Sequence, residues 1–421
     1  MKILLLNQVF WPDVAATAQY GYDLAKYLSG RARHQVTVVA SRSLYGGIGA
    51  NLSREDWIDG IRIVRSGKNV FGKRGLIPRA LDFGVFHVAA LVRALLLPRQ
   101  SVIVCFTTPP FILLIGIILR RIKRTRVICW SMDLYPEVPL AAGVVRRGSL
   151  MHRAFESIDR FCLRRADRVI VLGRCMRERM LAKGVKPERI ELVDMWADPG
   201  EFSGRQGVGN AFRSAWGIGD RFTIQYSGNF GIGHDGRTIY EAMRLLRGED
   251  RIRWVFAGGG TKRAEIEEFV RQERIDNVVL KSYQPRESLG ELIALGDVHL
   301  VTISQGFEGL MVPSKFYGAL AAGRPVIYIG PASSEVARVI AEEGCGIVID
   351  QQRPQDLCAA IRRLMDEPGY RAEISSRALA AAHRRFTLDR SCDRWNTIIQ
   401  SVRGHPADQA RAVAGPGGER P

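Results

Sequence analysis

Lys315 stands near the start of "VPSKFYGALAAGRPVIYIG" (312–330), a stretch that joins a loop, a short helix and a buried strand. Pro313 and Ser314 read as a turn and a helix cap. Gly323 reads as the end of the helix, and Gly330 closes the strand. A helix N-terminus attracts anions through its N–H groups and its dipole, and a lysine in the first turn adds a full charge. Small residues through the middle of the helix require a close neighbour. Three other strand ends carry similar chemistry: "SGNFGIGHD" (227–235), "AGGGTKR" (257–263) and "GPASSEVAR" (330–338). Glycines there let backbone N–H groups approach phosphate oxygens. Lys262 would add charge and His234 a polar contact. Taken singly, such a turn reads equally as a bare loop, and Lys262 as a solvated surface lysine. Four such turns in one half of the chain predict a nucleotide diphosphate site. Glu335, after Ser333 and Ser334, reads either as a carboxylate favouring its helix dipole or as a partner for a ribose hydroxyl.

Asp133 ends the apolar run "RVICWSMD" in the other half of the chain. It reads either as a turn residue or as a group that positions an acceptor hydroxyl or takes its proton. No metal motif accompanies it. "DMWAD" puts Asp194 and Asp198 at a spacing unlike that of sugar-nucleotide metal sites. The seven cysteines form no CxxC pair and read as small core residues in a reducing cytoplasm. No metal or other cofactor is predicted to be required.

Short apolar strands alternating with helical patterns must position these groups. "KILLLNQ", "QVTVVAS", "SVIVCF", "RVICWSMD" and "RVIVLG" form a first series. "FTIQYSG", "IRWVFAGGG", "NVVLKSY", "VHLVTIS", "PVIYIG" and "GIVID" form a second. This alternation predicts α/β architecture: two Rossmann-like, doubly wound domains facing a central cleft. The Gly-rich stretch 197–220 reads as the linker. The expected division is 1–203, 204–385, a C-terminal helix 386–402 returning to the first domain, and a disordered tail 403–421.

The chain has 421 residues and a formal charge of +18, which calls for an anionic partner. Nucleic acid is set aside because no recognition motif is present. The apolar start "MKILLLNQ" is too short for a signal peptide and reads as a strand. "PPFILLIGIILRRIKR" (109–124) is too short to span a bilayer and reads as a buried helix or an interfacial one. Basic clusters lie at 72–99 and 120–126. Leu81, Val85, Val88 and Val92 recur at helical period, facing either the core or an anionic membrane surface.

Three stretches carry a family resemblance: "DLYPE" (133–137), "YSGNFGIGHD" (226–235) and "EGLMVPSKFYGALAAGRPVI" (308–327). With "NQVFWPDVAATAQ", they make the chain resemble family 4 glycosyltransferases of the GT-B fold. The nearer likeness is to the bacterial branch that builds exopolysaccharide and O-antigen units, including colanic-acid and N-acetyl-fucosamine transferases. The resemblance implies a nucleotide-sugar donor in the second domain and a polyprenyl-diphosphate-linked saccharide acceptor at the first. It also implies transfer in the cleft with retention of anomeric configuration, on the cytoplasmic face of the inner membrane. A UDP sugar, N-acetylated amino or deoxy, is favoured, and a GDP sugar is possible. The donor set would be Ala16, Gly228, Asn229, Gly231, His234, Lys262, Pro313, Ser314, Lys315 and Glu335, with Asp133 catalytic. The chain departs from the wider pattern at Gly318, where a ribose-binding glutamate is usual, and that role passes to Glu335. Met132 stands where some relatives have histidine. Asn229 and His234 replace an Arg…Lys pair, and "AATA" (15–18) lacks the usual paired glycines. Two other readings stay open: a sugar-nucleotide epimerase on a related fold, and a non-catalytic nucleotide-sugar-binding subunit.

Overall fold

The computed structural model describes residues 1–44, 52–68, 76–197, 199–202 and 210–402. The expected domain boundary at 203/204 and the tail 403–421 lie outside these residues, as do residues 72–75 of the first basic cluster. The first sheet holds β1 (Lys2–Leu6), β2 (Gln35–Ala40), β3 (Glu55–Ile58), β4 (Ile61–Arg65), β5 (Val102–Cys105), β6 (Arg126–Trp130), β7 (Arg168–Val171) and β8 (Ile190–Leu192). Its order is β3-β4-β2-β1-β5-β6-β7-β8, parallel except for the β3–β4 pair. The second sheet holds β9 (Phe222–Asn229), β10 (Ile252–Gly259), β11 (Val278–Lys281), β12 (Val298–Thr302), β13 (Val326–Ile329) and β14 (Gly346–Ile349). It is wholly parallel, in the order β11-β10-β9-β12-β13-β14. The fold is GT-B: two Rossmann-like sheets, each buried by helices on both faces.

Strand order reverses between β1 and β5 in the first sheet and between β9 and β12 in the second. Loops diverge at such a switch point and leave a crevice. The end of β9 and the loop after it carry Gly228–His234, the loop after β12 leads to Lys315, and the loop after β1 leads to Ala16 at the start of its helix. β3 and β8 went unread because they are short and only partly buried, and β4 because it is a short run interrupted by Arg62.

The small helix Lys315–Ala321 packs against helix Pro368–Arg385. Ala319 and Ala321 meet a helix whose own buried face is Ala378, Ala381 and Ala382, which explains the run of small residues. Helix Leu388–Ser401 then crosses to the first domain. There Trp395 lies 4.6 Å from Trp130 between ring centroids, and Tyr27 donates to Asp393.

Helix Leu113–Lys123 turns Leu113, Ile115, Ile117 and Leu119 into the core, so most of the apolar run 109–124 is core packing. Two of its basic residues are also internal. Lys123 donates to the carbonyls of Ala94 (3.1 Å) and Leu95 (2.6 Å), and Arg120 pairs with Asp167 at 3.2 Å. Helix Leu76–Leu96 is different. Its Phe86, Ala90 and Ala94 are buried, while Leu81, Val85, Val88 and Val92 face outward, 39% to 66% exposed. Helix Leu150–Leu163 adds Leu150, Met151, Ile158 and Phe161 to the exposed apolar surface. Helix Leu113–Lys123 packs against both. No helix among the described residues is long and apolar enough to cross a membrane.

Trp395 is fully buried where the last helix meets the first domain. Replacing it with alanine should cost about 3–5 kcal/mol. The melting temperature should fall by on the order of 10 °C, measured by circular dichroism.

Candidate active site

Lys315 begins the helix that follows the β12 crossover. Its Nζ donates to the Tyr226 hydroxyl at 2.5 Å and stands 4.1 Å from the centroid of that ring. The Asn229 carbonyl lies 3.4 Å away. One face of the side chain still meets solvent, but the amine is enclosed enough that burial lowers its pKa to about 7. Ser314 holds the cap position, but its helical backbone leaves the side chain making no cap bond. Phe316 N–H and Tyr317 N–H bond back to the carbonyls of Pro313 and Ser314, each at 3.2 Å. Two first-turn donors are thus engaged, so the attraction for an anion rests chiefly on the lysine.

Gly228 adopts φ +108° and Gly258 φ +145° beside it. A Cβ on Gly258 would fall 2.1 Å from the Gly228 carbonyl oxygen, so only glycine permits this approach of two strand ends. Gly231 lies in the same loop, beside the Asn229 amide. His234 is buried, and its Nδ1 donates to the Thr302 carbonyl at 2.7 Å. Burial, with the nearby Lys315 charge, holds its pKa well below the usual histidine range, so the ring is neutral. Lys262 points back into the loop and donates to the His234 carbonyl. It braces the loop instead of standing free to meet a phosphate. Ala16 is exposed at the start of helix Ala16–Gly30, in a turn braced by Asp13 accepting from Ala15 N–H at 3.0 Å.

Glu335 lies far from the role of a free ribose partner. It is 4% exposed, with Ser334 capping its helix through Ala337 N–H at 3.2 Å. Its carboxylate accepts the backbone N–H of Arg174 at 2.6 Å and that residue's guanidinium at 2.9 Å. Arg174 belongs to the first domain, so this pair joins the two. Arg286 makes a second tie, 3.0 Å from Asp23. Neither arginine stood out in the sequence, because nothing local distinguishes them among 61 lysines and arginines.

Asp133 follows β6 in the first domain. Thr107 Oγ1 accepts the backbone N–H groups of Met132 (3.3 Å) and Asp133 (3.1 Å). Burial raises the Asp133 carboxyl to about 6, which suits a proton acceptor near neutrality. The next N–H, that of Leu134, donates to the Leu310 carbonyl of the second domain at 3.0 Å. The loop that leads to Lys315 therefore touches the first domain at the residue after Asp133. Buried Lys183 secures the rest of the "DLYPE" loop through the Tyr135 carbonyl (3.0 Å) and Glu137 (2.8 Å). Among the described residues, no cluster of three His, Cys, Asp or Glu side chains could hold a metal.

Residues 16–196 match a family model described as a Glycosyl transferase 4-like domain, and residues 210–380 match Glycosyl transferases group 1. With the two-sheet architecture and its central crevice, these matches make the chain a member of the GT-B glycosyltransferases. WbjE of Pseudomonas aeruginosa, named as a glycosyltransferase, is 29% identical over 306 residues, 72% of this chain and 74% of its own length. WcaI of Escherichia coli K12, named as a colanic acid biosynthesis glycosyl transferase, is 23% identical over 96% of this chain and 100% of its own. The structure of Anabaena HepE with UDP-glucose superposes with a TM-score of 0.72 at 15% identity, covering 95% of this chain and 100% of that one.

If Lys315 holds the donor diphosphate, its lowered pKa makes that binding proton-linked. Above about pH 7 the free amine is neutral, and a bound diphosphate favours the ammonium. Calorimetry with UDP at pH 8.5, in two buffers of different ionisation enthalpy, should show uptake approaching one proton. Lys315→Ala should abolish the uptake and weaken binding about 10–150-fold. Equal uptake by the variant would assign the proton elsewhere.

Proposed function

We propose that the protein transfers a sugar from a nucleotide-diphosphate donor to a lipid-linked saccharide in surface polysaccharide assembly, with retention of anomeric configuration. The observation that carries this reading is the loop that leads to Lys315. Its Leu310 carbonyl holds the residue after Asp133, and its end is Lys315, which supports a reading with a cation for the leaving diphosphate and a carboxyl for the acceptor hydroxyl at one crevice. Lys315 neutralises charge as the bond from the anomeric carbon to the diphosphate breaks. Asp133 positions the acceptor hydroxyl, whose oxygen forms the new bond, or takes its proton. The glycine ends Gly228 and Gly231 admit the phosphates. A UDP sugar is favoured, in keeping with the UDP-glucose bound by HepE; an N-acetylated amino or deoxy sugar is taken from the family resemblance alone.

The acceptor is a polyprenyl-diphosphate-linked saccharide, and the first domain docks on the anionic cytoplasmic leaflet of the inner membrane. The outward stripes of helices Leu76–Leu96 and Leu150–Leu163 support this, together with exposed Arg79, Arg121, Arg124, Arg146, Arg147 and Arg153. Arg120 and Lys123 take no part, being held by internal partners.

Nucleoside diphosphate release, followed over a panel of donors, should require a lipid-linked acceptor. Release without acceptor, or none with any acceptor, would overturn the transfer reading. Asp133→Asn should cut turnover about a hundredfold or more while leaving UDP affinity unchanged. In the unmodified enzyme, turnover at saturating donor should fall as pH drops through about 6, where the carboxyl takes up its proton. Equal loss of turnover and affinity in the variant would point to a donor role for Asp133.

Membrane docking is tested separately. Val88→Glu with Val92→Glu, and Arg121→Gln with Arg124→Gln, should each reduce co-sedimentation with anionic vesicles at low salt. Each arginine contributes on the order of 1 kcal/mol, screened as salt rises. Unchanged binding by both variants would remove this face from the membrane.

A further inference from the structure

The donor domain rests on helix Arg174–Ala182 of the first domain. Cys175 Sγ donates to the Ser333 carbonyl at 3.2 Å, and Glu178 pairs with Arg338 at 3.1 Å. Half-buried Arg179 reaches the loop 304–314, donating through Nε to the Glu308 carbonyl at 2.9 Å. The next residue, Gly309, turns at φ +73° against the Cys175 carbonyl. A Cβ there would lie 2.9 Å from that oxygen, in a backbone conformation that already disfavours any side chain. The residue after that is Leu310, whose carbonyl holds Leu134 N–H. The loop is compact: Phe307 N–H bonds to the Ser304 carbonyl and Leu310 N–H to the Phe307 carbonyl, both at 3.0 Å. Phe307 and Leu310 are buried. A loop this tight cannot be held at Glu308 without fixing the Leu310 carbonyl as well.

We propose that Arg179 is a positioning residue for the transfer reaction. It anchors the loop 304–314 so that Leu310 locks the Asp133 strand end while Lys315 stands at the donor phosphates. The proposal rests on the roles given above to Asp133 and Lys315. Arg179 acts through the Glu308 carbonyl, and nothing local in the sequence marks it for this task.

Amide exchange gives a readout independent of substrate. Met132 and Asp133 N–H are held by Thr107 within the first domain, whereas Leu134 N–H is held from the second. In Arg179→Ala, exchange at Leu134 should rise about 10–150-fold, the loss expected for a hydrogen bond from a charged group. Met132 and Asp133 should stay protected. Turnover should fall with UDP affinity unchanged, and Arg179→Lys should recover part of both effects. Gly309→Ala, whose Cβ would lie 2.9 Å from the Cys175 carbonyl oxygen and 3.0 Å from Arg179 Nε, should push the loop off the same helix and reproduce the exchange pattern. Unchanged Leu134 exchange in both folded variants would overturn the proposal, as would faster exchange with full turnover. Failure of the unmodified protein to bind UDP would count against the donor site, and the exchange arm would still decide what Arg179 holds.

Discussion

A carboxylate buried between two domains has to be neutralised, and Glu335 is neutralised from the opposite domain. Its helix supplies only a cap and a favourable dipole. The guanidinium and the backbone N–H come from Arg174, with Arg385 4.0 Å away. Gly173 leaves the room, since a Cβ there would lie 2.6 Å from the Glu335 side chain. Separating the domains would strip a buried charge of its partner, which is costly however modest the pair's net contribution to stability. This pair holds the two domains together, alongside the Arg286–Asp23 and Glu178–Arg338 pairs.

Within the cleft, burial acts on two groups of opposite sign. It raises Asp133 to about 6 and lowers Lys315 to about 7. Both shifts favour the neutral form, so both groups lie close to a change of charge near neutrality. In the proposed reaction, a diphosphate beside Lys315 would restore the ammonium, and an acceptor hydroxyl beside Asp133 would meet a carboxylate basic enough to share its proton. The same desolvation that weakens these charges in the empty cleft strengthens their interactions with substrate once water is excluded.

The outer face of the first domain obeys a different constraint. Helix Leu76–Leu96 has one apolar side on the sheet and a second one in solvent. Core packing accounts for the first side only. Lys123 and Arg120 are held by neighbouring elements, and other arginines of the same helices and connecting segments, such as Arg79, Arg121 and Arg124, remain exposed. That pairing of apolar stripe and exposed arginines fits an interface of anionic headgroups over acyl chains.

Periodicity and glycine placement made much of this legible from sequence. Runs such as "KILLLNQ" and "VHLVTIS" read as buried parallel strands, and four glycine-bearing strand ends together pointed to a crevice. Lys315 stood out because a lysine at that helix start has a local reason to be there. Local pattern was silent wherever a role depends on a partner distant in the chain. Leu81 and Val88 recur at helical period whichever side faces the sheet, and only the burial of Phe86 and Ala90 on the same helix settled which side was outward. Glu335 reads as a helix-start carboxylate until Arg174, 161 residues earlier, is brought against it. Lys262 reads as a phosphate ligand until the fold turns it onto His234. Secondary structure and site class follow from nearest-neighbour chemistry. The assignment of each charge to its partner is decided by three-dimensional closure, because a charge interacts through space and the chain order does not record that distance.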